Sequence, residues 1–147
     1  MNITEVRIKL MEDDHDQLLA FCSITFDKVF VVENVKIIKG SNGIFVAMPS
    51  RRIMDYCPKC SAKNPVDSHF CDQCGERLND NRASYDHLGR PKLYADIVHP
   101  INSACRKMIQ TTVLDAYKKE KERSKQSGYV SSYDSYYKLD GTLPMAQ

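Results

Sequence analysis

The chain has 147 residues, enough for one ordinary domain or for a small domain with an appended module. Hydrophobic residues make up 42%, tryptophan is absent and the mean hydropathy is −0.46, which describes a globular protein with a modest core. The net charge is +2, so an overall polyelectrolyte character is excluded; no run approaches the roughly 20 apolar residues of a membrane helix. The opening MNITEVRIKLMEDDHD lacks the basic start and apolar middle of a signal peptide, so a cytoplasmic protein without a membrane partner is expected. Charge is unevenly spread. Residues 1–53 balance seven basic against seven acidic side chains, residues 54–91 carry five against six, and residues 92–147 carry nine against six.

In chain order, EVRIKL alternates strictly, with Val6, Ile8 and Leu10 on one face and Glu5, Arg7 and Lys9 on the other, the pattern of a half-buried strand. MEDDHDQ reads as an acidic turn. LLAFCSITF then places Leu18, Ala20, Cys22, Ile24 and Phe26 on one face. Asp27–Lys28 forms a tight turn into VFVVENVKII, and KGSNG has the glycines and asparagine of a hairpin loop. IFVAM (44–48) is a continuous apolar run, read as a buried strand, that ends at Pro49. These elements predict an antiparallel meander.

Strand character returns at KLYADIV (92–98). After His99–Pro100, Asn102 or Ser103 can cap a helix. Cys105, Met108, Ile109, Thr112, Val113, Ala116 and Tyr117 then recur at three- and four-residue steps, one apolar stripe of a helix that should fray near KEKERSK. From Ser124 the chain is rich in Ser and Tyr without a period, and a disordered tail over 124–147 is expected.

Between the strand-like segments lies CPKC, ten residues and CDQCG. Six cysteines in all would suit a secreted disulfide scaffold, but two C-x-x-C pairs at Cys57, Cys60, Cys71 and Cys74, with Cys22 and Cys105 standing apart, read as metal binding in a reducing cytosol. Each C-x-x-C turn folds two sulfurs toward one point, and two turns complete a tetrahedral set for one Zn²⁺ per chain. With all four ligands from the protein, no coordination position is left for catalysis, so the site is structural. Gly75 can take the positive φ that tightens the second turn, whereas the first turn has Ser61 there. His69 is read as a loop histidine rather than a ligand, and Cys22 and Cys105 as inert core thiols. A thiol redox protein is a further reading, although one C-x-x-C would suffice for it. Four thiolates around Zn²⁺ make segment 54–91 more acidic, to about −3, which suits contact with a protein better than with phosphate.

Without residues 54–91, the flanks GIFVAMPSRR and KLYADIVHPINSACRKMIQTTVLDAY, with ITFDKVFVVENVKII, resemble the bacterial septation regulator SpoVG, stage V sporulation protein G, over residues 2–53 and 92–120. The resemblance implies an α+β fold: a small antiparallel sheet with a C-terminal helix, here interrupted by a zinc-ribbon insertion at a hairpin tip. The expected division is a SpoVG-like domain of 1–53 plus 92–123, a ribbon of 54–91 and the tail. It also implies a homodimeric regulator of septation and sporulation that binds DNA, with RNA as the further option. The basic residues that carry over are Arg51, Arg52, Lys92, Arg106 and Lys107. Homodimerisation agrees with the small size of the framework and the open edges of a meander. The competing reading is an adaptor whose ribbon docks a protein partner. His99 has no nucleophile to pair with and no glycine-rich phosphate loop occurs, so no enzyme is expected.

Overall fold

Four strands follow one another as an antiparallel meander in the computed structural model, which describes residues 1–12 and 16–133. They are β1 (Ile3–Leu10), β2 (Leu18–Phe26), β3 (Phe30–Gly40) and β4 (Gly43–Ala47), hydrogen-bonded in that order. The acidic turn expected between β1 and β2 includes residues 13–15, which lie outside the described residues. Between β2 and β3 the turn is as tight as expected. Asp27 (φ 51°) and Lys28 (φ 60°) are both left-handed, and the Val29 N–H donates to the Phe26 carbonyl at 3.0 Å. The two left-handed residues make a primed turn inside a three-residue loop, because the ladder closes at the pair Phe26–Phe30. The Asp27 carboxylate also accepts the Asn2 N–H at 2.9 Å, tying the turn to the start of the chain.

One feature of β3 breaks the two-residue period. Cys22 pairs with Val35 and Ile24 with Val32, so β3 spends one residue more than β2 there. Asn34 absorbs the excess at φ 61°, a conformation that asparagine tolerates. Val32 and Val35 therefore both reach the interior, where Ile8, Ala20, Cys22, Ile24 and Ile37 are also buried.

β4 differs from the buried strand read from IFVAM. It is an edge strand, and Ile44 and Phe45 are 39% and 41% exposed. An apolar run reads the same whether its second neighbour is a strand or solvent. The β3–β4 ladder ends at Ala47, just ahead of Pro49, which has no N–H to donate.

The sheet is covered by α1 (Ser103–Arg123), which packs on β1, β4 and β2. Asn102 is the cap: its side-chain oxygen accepts the Cys105 N–H at 2.8 Å. The predicted stripe is the packed face, with Ile109, Val113 and Tyr117 buried and Cys105, Met108, Thr112 and Ala116 half-buried. The helix stays regular through Arg123, whose guanidinium pairs with Glu120 at 2.6 Å and lies 4.7 Å from the centre of the Tyr129 ring. The Tyr129 hydroxyl in turn donates to Glu120 at 2.7 Å. Residues 124–133 thus turn back along the fold, and Arg7 on β1 donates to the Ser132 carbonyl at 3.2 Å. The remainder of the expected disordered tail, 134–147, lies outside the described residues.

The described residues of Met1–Pro49 and of the chain from His99 onward form one compact unit, and Ser50–Val98 forms a second. The second unit has four short strands: β5 (Ser50–Arg52), β6 (Met54–Tyr56), β7 (Lys63–Pro65) and β8 (Tyr94–Asp96). β5 pairs with β8 and β6 with β7, each antiparallel. The sequence pattern puts the limits of the insertion at 54 and 91. Contacts divide the chain a few residues further out, because Arg51 and Arg52 pair with Ala95 and Tyr94 in a ladder separate from the four-stranded sheet.

Ile24 is fully buried at the centre of the sheet. Truncation of Ile24 to Ala is expected to lower stability by about 2–5 kcal/mol, through lost apolar transfer and a residual cavity. Urea unfolding followed by circular dichroism measures it.

Candidate metal centre and basic residues

The two C-x-x-C segments adopt one local structure twice. In the first, the Cys57 N–H donates to the Ala62 carbonyl at 2.8 Å, and the Ser61 N–H donates back to the Cys57 carbonyl at 2.9 Å. In the second, the Cys71 N–H donates to Glu76 at 2.9 Å and the Gly75 N–H to Cys71 at 3.0 Å. Both loops end in a left-handed residue, Ser61 at φ 64° and Gly75 at φ 79°. The serine takes the same conformation as the glycine despite its Cβ. The backbone N–H groups of Lys59 and Gln73 point at the sulfurs of Cys57 and Cys71, at 3.4 Å each.

This brings the four sulfurs together. Cys57 and Cys74 lie 3.7 Å apart, Cys60 and Cys71 3.6 Å, and all four ligand atoms fall within 4.8 Å of one another. Four sulfurs each about 2.3 Å from one tetrahedral ion are separated by about 3.8 Å. The donor set and its spacing therefore fit a metal ion. Cys57 and Cys71 are buried, while Cys60 and Cys74 are exposed. The N–H groups of Cys74 and Gln73, with the Asn64 amide, pull Cys71 down to about 6. The Ala62 N–H favours the Cys60 thiolate, but burial and hydrogen bonding to Cys71, Cys74 and Cys57 push that thiol up to about 12. Crowded sulfurs cannot all ionise unless a cation replaces their protons, the role a metal ion would fill at this donor set. Cys22, pushed up to about 12 by burial alone, is the inert core thiol expected. His69 stays outside the cluster, 3.4 Å from the exposed Asp80 carboxylate.

Two supporting side chains carried no recognisable signal in the sequence. Asn64 is 1% exposed. Its amide donates to the Cys71 sulfur at 3.4 Å and to the Ala62 carbonyl at 3.2 Å, while its oxygen accepts the Asp72 N–H at 3.0 Å. It thereby joins the two loops. Arg82 donates to the carbonyls of Asn79, Pro65 and Ser68 at 2.9, 3.2 and 2.7 Å. Its remaining nitrogen faces Asp55 at 3.8 Å.

The five basic residues singled out in the sequence fall into two groups. Arg51, Arg52 and Lys92 belong to the unit Ser50–Val98, and Arg106 and Lys107 to the first turns of α1 in the other. All five are exposed. Arg51 and Arg52 are consecutive on β5, so they project to opposite faces. Arg52 is bound to both oxygens of Asp67, at 2.7 and 2.8 Å. No acidic residue occupies the first turn of α1, leaving Arg106 and Lys107 at its positive end.

A helix-backed antiparallel meander carrying a separate four-sulfur unit defines a small α+β protein with a metal-type insertion. A family model described as SpoVG matches residues 1–119, and the chain belongs to the SpoVG family. Among similar proteins, "Putative septation protein SpoVG" of Agathobacter rectalis is 36% identical over 122 residues, 83% of this chain and 98% of its own length. The protein of the same name in Clostridium perfringens is 35% identical over 121 residues, 82% of this chain and 93% of its own. That of Caldanaerobacter subterraneus subsp. tengcongensis is 33% identical over 124 residues, 84% and 96% of the two chains.

Asn64 orients the Cys71 sulfur without belonging to the four-sulfur set, so Asn64→Leu is expected to weaken retention of a metal at that set about 10- to 100-fold. Competition with a chromophoric chelator, compared with the unsubstituted chain, reads the change.

Proposed function

We propose that the protein is a nucleic-acid-binding regulator of the septation type, holding one Zn²⁺ per chain in its ribbon and acting as a cytoplasmic homodimer. The observation that carries this reading is membership of the SpoVG family, whose similar members are named septation proteins. Zinc is the ion of choice because four thiolates in a closed tetrahedral set suit it chemically. Among the described residues no helix is long and apolar enough to cross a membrane.

The phosphate contacts are assigned to Arg51, Lys92, Arg106 and Lys107, with Arg52 joining them when it leaves Asp67. Two cations at the positive end of a helix cost the helix a few tenths of a kcal/mol each, up to about 1. Nothing acidic in that turn offsets the cost, so a ligand that rewards it is the natural explanation. β4 supplies the dimer edge: five residues with one strand neighbour among the described residues and half-exposed apolar side chains.

One observation favours the second reading, an adaptor that docks a protein through the ribbon. Asp86 accepts the N–H groups of Leu88 and Arg90 at 2.9 Å each, fixing a tight loop that displays Leu88, 64% exposed. A rigid apolar tip of this kind is what a protein pocket accepts.

Fluorescence anisotropy with a labelled duplex, taken across a salt series, tests the leading reading. Arg51→Ala with Arg52→Ala is expected to weaken binding similarly on all sequences. The slope of log affinity against log salt should flatten by about 0.9 per lost contact. Replacement of 54–91 by a short turn should leave duplex affinity unchanged or slightly raised. Normal binding by the arginine variant together with lost binding by the ribbon deletion moves the function to the ribbon. Metal analysis of unchelated protein should return one zinc per chain. Light scattering at micromolar concentration should give twice the chain mass.

A further inference from the structure

The ribbon contains an internal repeat that metal binding alone does not require. YCPKCSAK (56–63) and FCDQCGER (70–77) share one pattern: an aromatic residue, C-x-x-C, a small residue, any residue and a cation. The fold brings the two ends of each copy together. Tyr56 pairs with Lys63 across β6–β7, and Phe70 is bridged to Arg77. In each copy the cation lies over the ring: Lys63 is 5.8 Å from the centre of Tyr56, and Arg77 5.3 Å from that of Phe70. A third pair of the same kind spans β5–β8, with Arg52 5.9 Å from the centre of Tyr94. The three rings are 60–62% exposed, and none belongs to the small core around Cys57, Cys71 and Leu78.

We infer that this unit is a stacking platform for single-stranded nucleic acid, with unpaired bases lying on Tyr56, Phe70 and Tyr94. The inference rests on the nucleic-acid reading above and adds the strandedness of the ligand. A cation–ring pair at the surface contributes only about 0.5–1 kcal/mol, too little to explain leaving three large rings in solvent. Its effect is to hold each ring in one orientation. Arg77 is paired with Asp80 at 3.0 Å, and Arg52 is held by Asp67 at 2.7 Å until a phosphate draws it away, so in the free protein these cations hold the rings in place. A repeated ring-and-cation unit suits a polymer of repeated flat groups. Duplex DNA cannot use it, because its bases are already stacked on one another, whereas every unpaired base offers a face.

The zinc-loaded full chain is titrated with labelled oligo(dT) and with a labelled duplex. Tyr56→Ala, Phe70→Ala and Tyr94→Ala are combined in one variant, and zinc content and circular dichroism establish that it stays loaded and folded. The expected result is a loss of about fivefold or more per ring on oligo(dT), with the salt slope unchanged and duplex affinity intact. Should the triple variant lose its zinc, single Ala substitutions replace it. A companion variant with Tyr56→Phe, Phe70→Tyr and Tyr94→Phe should bind oligo(dT) like the parent. Equal losses on both ligands overturn the inference. Full retention of oligo(dT) affinity by the Ala variant also overturns it and assigns the rings to a protein contact. Binding of the parent to duplex but not to oligo(dT) removes the platform and leaves the nucleic-acid reading standing. Binding to neither removes both.

Discussion

Convergence of four sulfurs on one point is the constraint on which residues 50–98 depend. The buried apolar cluster there consists of Cys57, Cys71 and Leu78, with Ala62 packed beside it. Each strand of the unit has three residues, too few to be stable as isolated pairs in water. Paired loops that direct N–H groups at sulfur supply the local order, Asn64 couples the loops, and Arg82 gathers three carbonyls at one side. In the other unit, by contrast, a sheet and a helix exclude water from Ile24, Val35, Ile37 and Val113 by packing alone. The chain thus uses two kinds of organisation, a converging set of metal-type ligands in one unit and apolar burial in the other.

Much of this was legible in the sequence where a physical rule has a short period. Alternation exposed the inward faces of β1 and β2, and three- and four-residue steps gave the stripe of α1 whose centre is Ile109, Val113 and Tyr117. Cysteine spacing is more direct still, since ligand geometry leaves little choice of arrangement. Features that depend on distant partners were not legible. Nothing in the local sequence marks Asn64 as the amide beside Cys71, or Asp67 as the partner of Arg52. IFVAM looked interior because an edge and a centre can share one composition. Asn34, a residue at ease at positive φ, was the available clue to the bulge in β3.

Ser61 shows how far the metal loops override local preference. A serine in left-handed conformation is strained by roughly 1–2 kcal/mol, and its counterpart Gly75 is not. The first loop nevertheless reproduces the hydrogen bonds of the second to within about 0.1 Å. Such strain persists where the surroundings over-determine the backbone, and the paired hydrogen bonds between Cys57, Ser61 and Ala62 with the N–H of Lys59 on the Cys57 sulfur do so. Similar reasoning applies to Asp27 and Lys28, where the primed turn is held by the strands on either side and by the hydrogen bonds to Asn2.

The β5–β8 ladder has a consequence in polymer terms. By pairing Arg52 with Tyr94 it fixes the two ends of the intervening segment side by side, so that segment is a closed loop whatever it contains. The entropy of closing a flexible loop grows only with the logarithm of its length, about 0.6 kcal/mol for each doubling. A ladder of this kind is therefore a socket. Segments of different length or chemistry can occupy it at little thermodynamic cost in closure, and a unit that gathers four sulfurs is one such occupant.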